Sequence, residues 1–195
     1  MSRPPVIYFV RHGETDWNVE ARLQGQQDVP LNERGRAQAE EAGCRLRDLA
    51  PRLDALDYVA SPLARTRETM ERLRAALGLP PDGYRTDARL IELTFGEWEG
   101  LTMRDLRRRD PEAAAARRRD KWGYVPPQGE SYAMLTERVR PVLADIARDT
   151  VMVSHGGVAR ALLTLACSLP GREAAGLDIW QGRVLVIEGP RYRWA

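Results

Sequence analysis

The chain has 195 residues, 43% of them hydrophobic, which suits one compact domain over residues 1–195. The formal net charge is +2, and Lys121 is the only lysine among 30 basic residues, so the composition argues against a dedicated nucleic-acid-binding protein. Cys44 and Cys167 are far apart and lack zinc-site spacing, which predicts two small, buried, reduced side chains and no metal site. No apolar run reaches the length of a membrane span, and we expect a cytoplasmic protein without a membrane partner.

The first half of the chain alternates between apolar strands and helical patterns. The run VIYFV, residues 6–10, predicts a strand buried on both faces, because it is continuous and rich in β-branched and aromatic residues. Asn32 is the expected N-cap of a helix that runs to about Leu49. A second strand in LDYVASP and a helix over 63–77 follow. The inner face of the first helix is expected to hold Ala37, Ala42, Leu46 and Leu49.

The second half predicts further strands around a long charged segment. Residues 85–93 are expected to contain a strand, and residues 100–132 form a charged helical segment interrupted at Pro111. That segment is either a solvated helix face or a lid that attracts anionic substrates. A helix over 131–147, a strand over 150–154, a helix over 158–169 and a last strand over 183–188 complete the pattern. Strands alternating with helices predict an α/β fold, a three-layer α/β/α sandwich with a mostly parallel central sheet.

The only two histidines occupy matching positions, each just after an apolar strand and just before glycine. His12 lies in FVRHG and His155 in MVSHGG. Ligands of open α/β sheets bind beyond the carboxyl ends of the strands, so both side chains are expected at one pocket. Either histidine alone would more often be structural, and the matched contexts favour function.

Two arginines accompany these histidines in the sequence. Arg11 directly precedes His12, and a guanidinium fits the oxygens of phosphate or carboxylate. Arg65 lies at the start of a helix, where an anion is also favoured, although a surface salt bridge would explain it equally well. Two histidines, two arginines and no metal-ligand cluster fit phosphoryl transfer through a histidine nucleophile.

Four motifs in this order resemble the histidine phosphatase superfamily, also called the phosphoglycerate mutase-like family. They are VRHGETDWN, SPLARTRETM, IELTFGEWEG and VSHGG, and they cover most of the chain. The resemblance implies the phosphoglycerate mutase-like fold and a phosphomonoester hydrolase of the histidine acid phosphatase type. It implies a small phosphomonoester as the partner, with no nucleic acid, no metal and no cofactor.

The resemblance also implies the roles of five residues. His12 would be the nucleophile that becomes phosphohistidine, while Arg11, Arg65 and His155 would line the phosphate pocket. Glu92 would protonate the leaving oxygen and then activate the hydrolytic water. His12 must attack as neutral imidazole, and we expect the charges of Arg11 and Arg65 to lower its pKa.

Three more residues are expected to bind substrate by the same resemblance. Asn18 matches a position that would donate a hydrogen bond to the phosphoryl group. Gln24 and Gly25 match a loop that borders the phosphate site, and their assignment is the weaker one.

The sequence around Glu92 favours a phosphatase over a mutase. In the mutase branch the corresponding acid is followed by an arginine that helps to hold the substrate carboxylate, whereas Leu93 follows here. The chain also lacks length for the insertions that close a mutase site. A mutase remains an alternative, because arginines within 104–119 offer a replacement contact, and a non-catalytic phospho-ligand-binding protein is the third possibility.

The substrate and the oligomeric state are not specified by the sequence. KWGYVPPQGESY matches in part a family loop PGGES, with Gln128 in place of a glycine, and is expected to form one wall of the pocket. Trp122, Tyr124 and Tyr132 in this stretch either pack against the core, which is the commoner arrangement, or stack on a ring-bearing substrate.

Overall fold

Six strands form one central sheet in the computed structural model, which describes residues 3–195. The strand order is β3-β2-β4-β1-β5-β6, in which the first four strands are mutually parallel, β5 is antiparallel to β1, and β6 is antiparallel to β5. The mostly parallel sheet expected from the sequence is therefore confirmed. In chain order the strands are β1 (Val6–Arg11), β2 (Asp57–Ala60), β3 (Arg85–Thr86), β4 (Thr150–Ser154), β5 (Leu185–Glu188) and β6 (Arg191–Trp194).

Eight α-helices connect these strands or follow them within the described residues. They are α1 (Asp16–Val19), α2 (Glu33–Leu49), α3 (Ala64–Ala76), α4 (Met103–Arg109), α5 (Pro111–Arg119), α6 (Tyr132–Asp145), α7 (Gly156–Cys167) and α8 (Gly171–Ala174). Across residues 3–195, no helix is both long enough and apolar enough to cross a membrane.

Two hydrophobic cores lie on opposite faces of the sheet. Because side chains alternate along a strand, Ile7 and Phe9 of β1 join one core, while Tyr8 and Val10 join the other. Helices α6 and α7 cover the first core together with α4 and α5, and α2 and α3 cover the second. This arrangement confirms the three-layer α/β/α sandwich, and it confirms that the first strand is buried on both faces.

Helix α2 begins as the sequence predicts and turns most of the expected face inward, with Leu49 partly buried against the second core. The Asn32 side chain accepts a hydrogen bond from a first-turn N–H at 2.8 Å, as expected of an N-cap. Ala42 and Leu46 are fully buried, also as expected. Ala37 is exposed, because the helical period counted back from Leu46 places Ala39 on the inner face instead.

The strand expected over residues 85–93 is mostly absent. Only Arg85–Thr86 pair with β2, and residues 88–90 form a 3₁₀ turn. The Asp87 carboxylate accepts the N–H of Arg89 at 2.9 Å and binds its guanidinium at 2.7 Å. This cap turns the chain away from the sheet edge, and Glu92 follows on an irregular segment rather than at a strand end.

The expected last strand is followed by another. Gly189 has a φ of +55°, which allows the tight reversal between β5 and the exposed edge strand β6.

The expectation for Cys44 was also wrong, because this residue lies on the outer face of α2 and is exposed. Cys167 is half-buried near the end of α7, where burial raises the pKa of its thiol.

The charged segment forms two short helices that cover the first core. Thr102 caps α4 by accepting the N–H of Asp105 at 3.1 Å. Pro111 occupies the first turn of α5, where its missing N–H costs nothing, so the expected interruption is confirmed. Leu106 and Ala114 are buried beneath these helices, and the arginines of both helices are concentrated in the last turns.

Candidate active site

The two histidines emerge side by side because of the strand register. Parallel pairing places Arg11, the last residue of β1, opposite Ser154, the last residue of β4. The residue directly after each strand is a histidine. The ring centroids of His12 and His155 are 5.3 Å apart, and both rings are buried. The sheet therefore brings together two residues separated by most of the chain at the carboxyl edge of its central strands.

A single backbone contact fixes the tautomer of His12. Its Nδ1 lies 2.8 Å from the carbonyl oxygen of Gly13. A carbonyl oxygen only accepts hydrogen bonds, so Nδ1 carries the proton of the neutral ring and Nε2 keeps its lone pair. Burial lowers the pKa of His12 well below its usual value, and the charges of Arg65 and Arg11 lower it further. The expected charge effect is thus present, although burial is the larger cause.

His155 has a protein partner at each ring nitrogen. Its Nε2 lies 2.8 Å from the Ser61 hydroxyl, and its Nδ1 lies 3.4 Å from Arg65 Nη2. Burial lowers its pKa well below the usual value, followed by the charges of Arg65, His12 and Arg11. Arg65 can only donate, so the ring accepts at Nδ1 and donates from Nε2 to Ser61 as a neutral imidazole.

Arg65 is a buried cation and Arg11 a half-buried one, and backbone carbonyls hold both. Arg11 Nη1 donates to Ile179 O at 2.8 Å, and Arg65 donates to Gly25 O at 2.8 Å and to Gln27 O at 2.6 Å. Neither side chain has a carboxylate within salt-bridge distance among residues 3–195, and the Nε atom of each is buried without a partner. Arg65 is therefore not a surface salt-bridge residue.

Burial without a counter-ion is costly for both guanidinium groups. Burial is the main cause that lowers the pKa of Arg11, to about 10, and the charge of Arg160 is the next. Burial also lowers the pKa of Arg65. Because an uncompensated buried charge destabilises a fold, this pair of arginines favours a bound anion.

The carboxylate of Glu92 reaches the first turn of α7, next to His155. Its two oxygens accept the N–H groups of Leu93 and Gly157, each at 3.0 Å. A β-carbon on Gly157 would lie 2.1 Å from Glu92 Oε1, so only glycine allows this approach. These contacts hold the carboxylate at the first turn of α7, which begins directly after His155.

The three candidate substrate-binding residues lie between β1 and α2, Asn18 in helix α1 and the weaker candidates Gln24 and Gly25 in the loop that follows. Asn18 Oδ1 accepts hydrogen bonds from the Thr15 N–H at 3.1 Å and from Gln181 Nε2 at 3.0 Å. Gln24 Nε2 donates to the Thr15 hydroxyl at 2.6 Å, while Gln24 Oε1 is buried without a partner. Gly25 has a φ of +53° and contributes its carbonyl to Arg65. The structure thus places the loop beside the arginine, and the ligand roles of these three residues stay predictions.

Three neighbours of the site were not found from the sequence. Ser61 holds His155, and Gln181 donates to the His12 carbonyl at 3.1 Å. Arg160 Nη1 and Arg11 Nε both lie within 4 Å of the point that a β-carbon on Gly156 would occupy. Arg160 carried one usable signal, because it is a cation on the helix that begins directly after His155.

The aromatic residues of the 122–132 stretch stack on each other or on the core. Trp122 stacks on Tyr132 with ring centroids 5.6 Å apart, and Tyr124 stacks on the buried Trp98 at 5.3 Å. Their faces are therefore used in packing, which is the commoner of the two expected arrangements. Among residues 3–195 there is no group of three or more histidine, cysteine, aspartate or glutamate side chains that could hold a metal ion.

The family model of the histidine phosphatase superfamily (branch 1) matches residues 7–195 of this chain. The chain belongs to the histidine phosphatase superfamily. Glucosyl-3-phosphoglycerate phosphatase of Mycobacterium tuberculosis is 36% identical to it over 177 residues, covering 84% of this chain and 76% of the relative. A probable phosphoglycerate mutase of Klebsiella pneumoniae is 36% identical over 173 residues, covering 84% and 75%.

A solved structure of this superfamily has the same fold over the whole chain. It is a mycobacterial glucosyl-3-phosphoglycerate phosphatase in complex with VO3, with a TM-score of 0.81 and 34% identity, covering 100% of this chain and 96% of that one. The family and the names of these relatives support a histidine phosphatase-type phosphatase.

Proposed function

We propose that this protein is a metal-independent phosphomonoesterase that acts on a small phosphorylated metabolite through a phosphohistidine at His12. The observation that carries the proposal is the state of His12, a buried neutral imidazole with its lone pair on Nε2 and its proton on Nδ1. Next to it lie the half-buried Arg11 and the buried Arg65, two cations without a carboxylate at salt-bridge distance among the described residues. A neutral nucleophile beside uncompensated positive charge is what attack on a phosphate dianion requires.

The first half of the proposed reaction forms the phosphohistidine. His12 Nε2 attacks phosphorus, the bond from phosphorus to the ester oxygen breaks, and Glu92 donates a proton to the departing oxygen. Arg11 and Arg65 offset the negative charge on the non-bridging oxygens, with His155 on the same side of the pocket. The alcohol then leaves with the proton from Glu92.

The second half releases inorganic phosphate. Glu92, now a carboxylate, takes a proton from a water molecule as the water oxygen attacks phosphorus. The bond from phosphorus to His12 Nε2 breaks, and the neutral imidazole and the protonated carboxyl group are restored. The two backbone N–H groups that donate to Glu92 keep its side chain at the first turn of α7 through both halves.

The low pKa of His12 supports operation in the acid range, as in an acid phosphatase. The nucleophile stays unprotonated below pH 6.5, where a free histidine side chain gains its proton.

We also propose that residues 100–132, which include α4 and α5, form a wall of the substrate pocket.

The decisive experiment measures phosphate release from a panel of phosphomonoesters in the presence of EDTA. We expect the wild-type protein to release phosphate at a rate that EDTA does not change, and His12→Ala to be inactive. Loss of activity in EDTA that added divalent metal restores would contradict the proposal. Isomerisation of phosphoglycerate with little free phosphate would instead identify a mutase.

A further inference from the structure

A short segment before β5 contacts the site through one backbone carbonyl and one side chain. The carbonyl oxygen of Ile179 accepts a hydrogen bond from Arg11 Nη1 at 2.8 Å. Two residues later, Gln181 pairs with Arg11 in an isolated parallel bridge, which places it beside the end of β1. Its Nε2 donates to the carbonyl oxygen of His12 at 3.1 Å and to Asn18 Oδ1 at 3.0 Å. One amide group therefore joins the backbone of the proposed nucleophile to a proposed substrate-binding side chain.

Two backbone groups determine the orientation of both side-chain amides. The His12 carbonyl only accepts hydrogen bonds, so the atom of Gln181 that faces it is the NH2 nitrogen. The Thr15 N–H only donates, so the atom of Asn18 that faces it at 3.1 Å is the carbonyl oxygen. Within residues 3–195, every hydrogen bond of the Asn18 side chain is made by this oxygen. Both protons of its NH2 group therefore remain available to a ligand.

The bond from Gln181 links helix α1 to the sheet edge that carries His12. The helix is four residues long, none of its residues is buried, and its capping box involves only Thr15 and Asn18. In the part of the chain that the structure describes, no other hydrogen bond joins α1 to a residue outside 15–22. A short helix without a buried face is weakly held by packing, so this bond has a large effect on its position.

We propose that Gln181 is a positioning residue that holds the Asn18 amide at a fixed place relative to His12, so that its NH2 group donates to the phosphoryl group at the nucleophile. The inference rests on the proposed function, in which His12 carries that group. Both Nε2 protons of Gln181 are used by the His12 carbonyl and by Asn18 Oδ1, which leaves none for the substrate. The effect of Gln181 on the reaction therefore passes through Asn18.

A double-mutant cycle on the binding of inorganic phosphate tests this role. Gln181→Met keeps the length of the side chain and removes its donors, and calorimetry measures the affinity. We expect phosphate to bind about tenfold more weakly, the effect of losing one hydrogen bond to a charged group. In the Asn18→Ala background, the same substitution should change the affinity by less than about twofold, because the residue through which it acts is absent.

Gln38→Met is the matched control. Gln38 is also half-buried, and its Oε1 accepts the Glu14 N–H at 2.9 Å. This substitution removes one amide hydrogen bond to the loop after β1 but none to Asn18, so the phosphate affinity should stay within about twofold of the wild-type value. Equal losses in Gln38→Met and Gln181→Met would overturn the inference, because a loosened loop would then explain both.

Turnover separates this inference from the proposed function. We expect kcat/KM for 4-nitrophenyl phosphate to follow the same cycle, with a large effect of Gln181→Met only when Asn18 is present. An equal loss of phosphate affinity with and without Asn18 would overturn the inference, as would wild-type affinity in Gln181→Met. The expected cycle in phosphate affinity without phosphate release from the ester would support the positioning of Asn18 and contradict the phosphatase function.

Discussion

At His12, the contact between Nδ1 and the Gly13 carbonyl decides which nitrogen is available for attack. The contact is made within two consecutive residues, so it does not depend on a side chain from elsewhere in the chain. The partner that fixes a histidine tautomer is usually a carboxylate or a distant carbonyl. Here the turn directly after β1 supplies it, and the proposed nucleophile is oriented as soon as β1 and this turn are in place.

The proposed proton donation by Glu92 predicts a dependence on the leaving group. Glu92→Gln keeps the shape of the side chain and removes the acid, so we expect kcat/KM for an alkyl phosphate to fall by about 10²- to 10⁴-fold. For 4-nitrophenyl phosphate, whose leaving group needs no proton, the loss should be much smaller. Phosphate release from both esters by wild-type and variant protein measures this difference.

Glu97 provides the matched control for this experiment. It lies in the same stretch, its side chain is 45% exposed, and Glu97→Gln should leave the ratio of the two rates as in the wild-type protein. Equal losses on the two esters in Glu92→Gln would show that Glu92 shapes the pocket without donating the proton.

At the scale of the elements, one arginine of α6 holds the segment that carries Glu92. Arg138 Nη1 donates to the carbonyls of Arg89 and Ile91 at 2.8 and 2.9 Å. The same guanidinium binds the Glu130 carboxylate at 2.7 and 3.0 Å, and both side chains are mostly buried. The 3₁₀ turn and the irregular segment after it are thereby fixed to a helix of the core.

We expect Arg138→Met to destabilise the fold and to reduce activity. The change leaves the Glu130 carboxylate and two carbonyls without their donor, which should cost about 3 kcal/mol of the free energy of unfolding. Chemical denaturation measures this cost, and kcat/KM at a temperature where the variant is folded measures the displacement of Glu92.

Arg140→Met tests the same change on the same helix in an exposed pair. Arg140 binds Glu137 at 2.7 Å, but both side chains are more than half exposed, and we expect a much smaller loss of stability than for Arg138→Met. Similar destabilisation by the two substitutions would refute the structural role given to Arg138.

Helices and strands with a strong hydrophobic period or a clear helix N-cap could be predicted from the sequence. Helix α2 was predicted from Asn32 and from its apolar spacing. One inner position was assigned to Ala37, although Ala39 is the buried residue, because alanines occur on both faces of this helix and leave its helical phase ambiguous there. Strand β3 is two residues long, and β6 is an exposed edge strand. Such short or exposed strands lack the apolar run that identifies a buried strand.

At the scale of the whole molecule, the burial of two neutral histidines determines how the free energy of unfolding depends on pH. The pKa values of His12 and His155 are well below 6.5 in the folded protein and return to about 6.5 on unfolding. The unfolded chain therefore takes up more protons below pH 6.5, so the free energy of unfolding falls as pH falls through this range. Each histidine contributes up to about 1.4 kcal/mol per pH unit.

Urea denaturation between pH 7.5 and 5.5 tests this dependence. His155→Gln removes one titrating ring, so its free energy of unfolding should fall less steeply below pH 6.5 than that of the wild-type protein, by up to about 1.4 kcal/mol per pH unit. Parallel curves for the two proteins would contradict the assignment of a neutral, buried His155.

The candidate site was partly predictable because its main residues follow strands. The sequence contexts of His12 and His155 indicated one sheet edge, and the pairing of β1 with β4 brings the rings together. Gln181 had to come from the structure, since its segment has no local pattern. Ser61 directly follows strand β2 and Arg160 lies on the helix after His155, but neither position alone identified a site residue. Their positions depend on the order in which strands and connections cross the sheet, which short-range periodicity does not encode.

The pairing of β1 determines when this strand can join the sheet during synthesis. Its two neighbours in the sheet are β4 and β5. Strand β1, which ends directly before His12, therefore has no pairing partner until residues 150–188 have left the ribosome. Strand β2 likewise needs β4 for its longer ladder. Pairing across such separations is slow, and the nascent chain must keep its first apolar strand protected for most of translation. His12 is thus made early, while the residues around it are assembled only after β4 and β5 have been made.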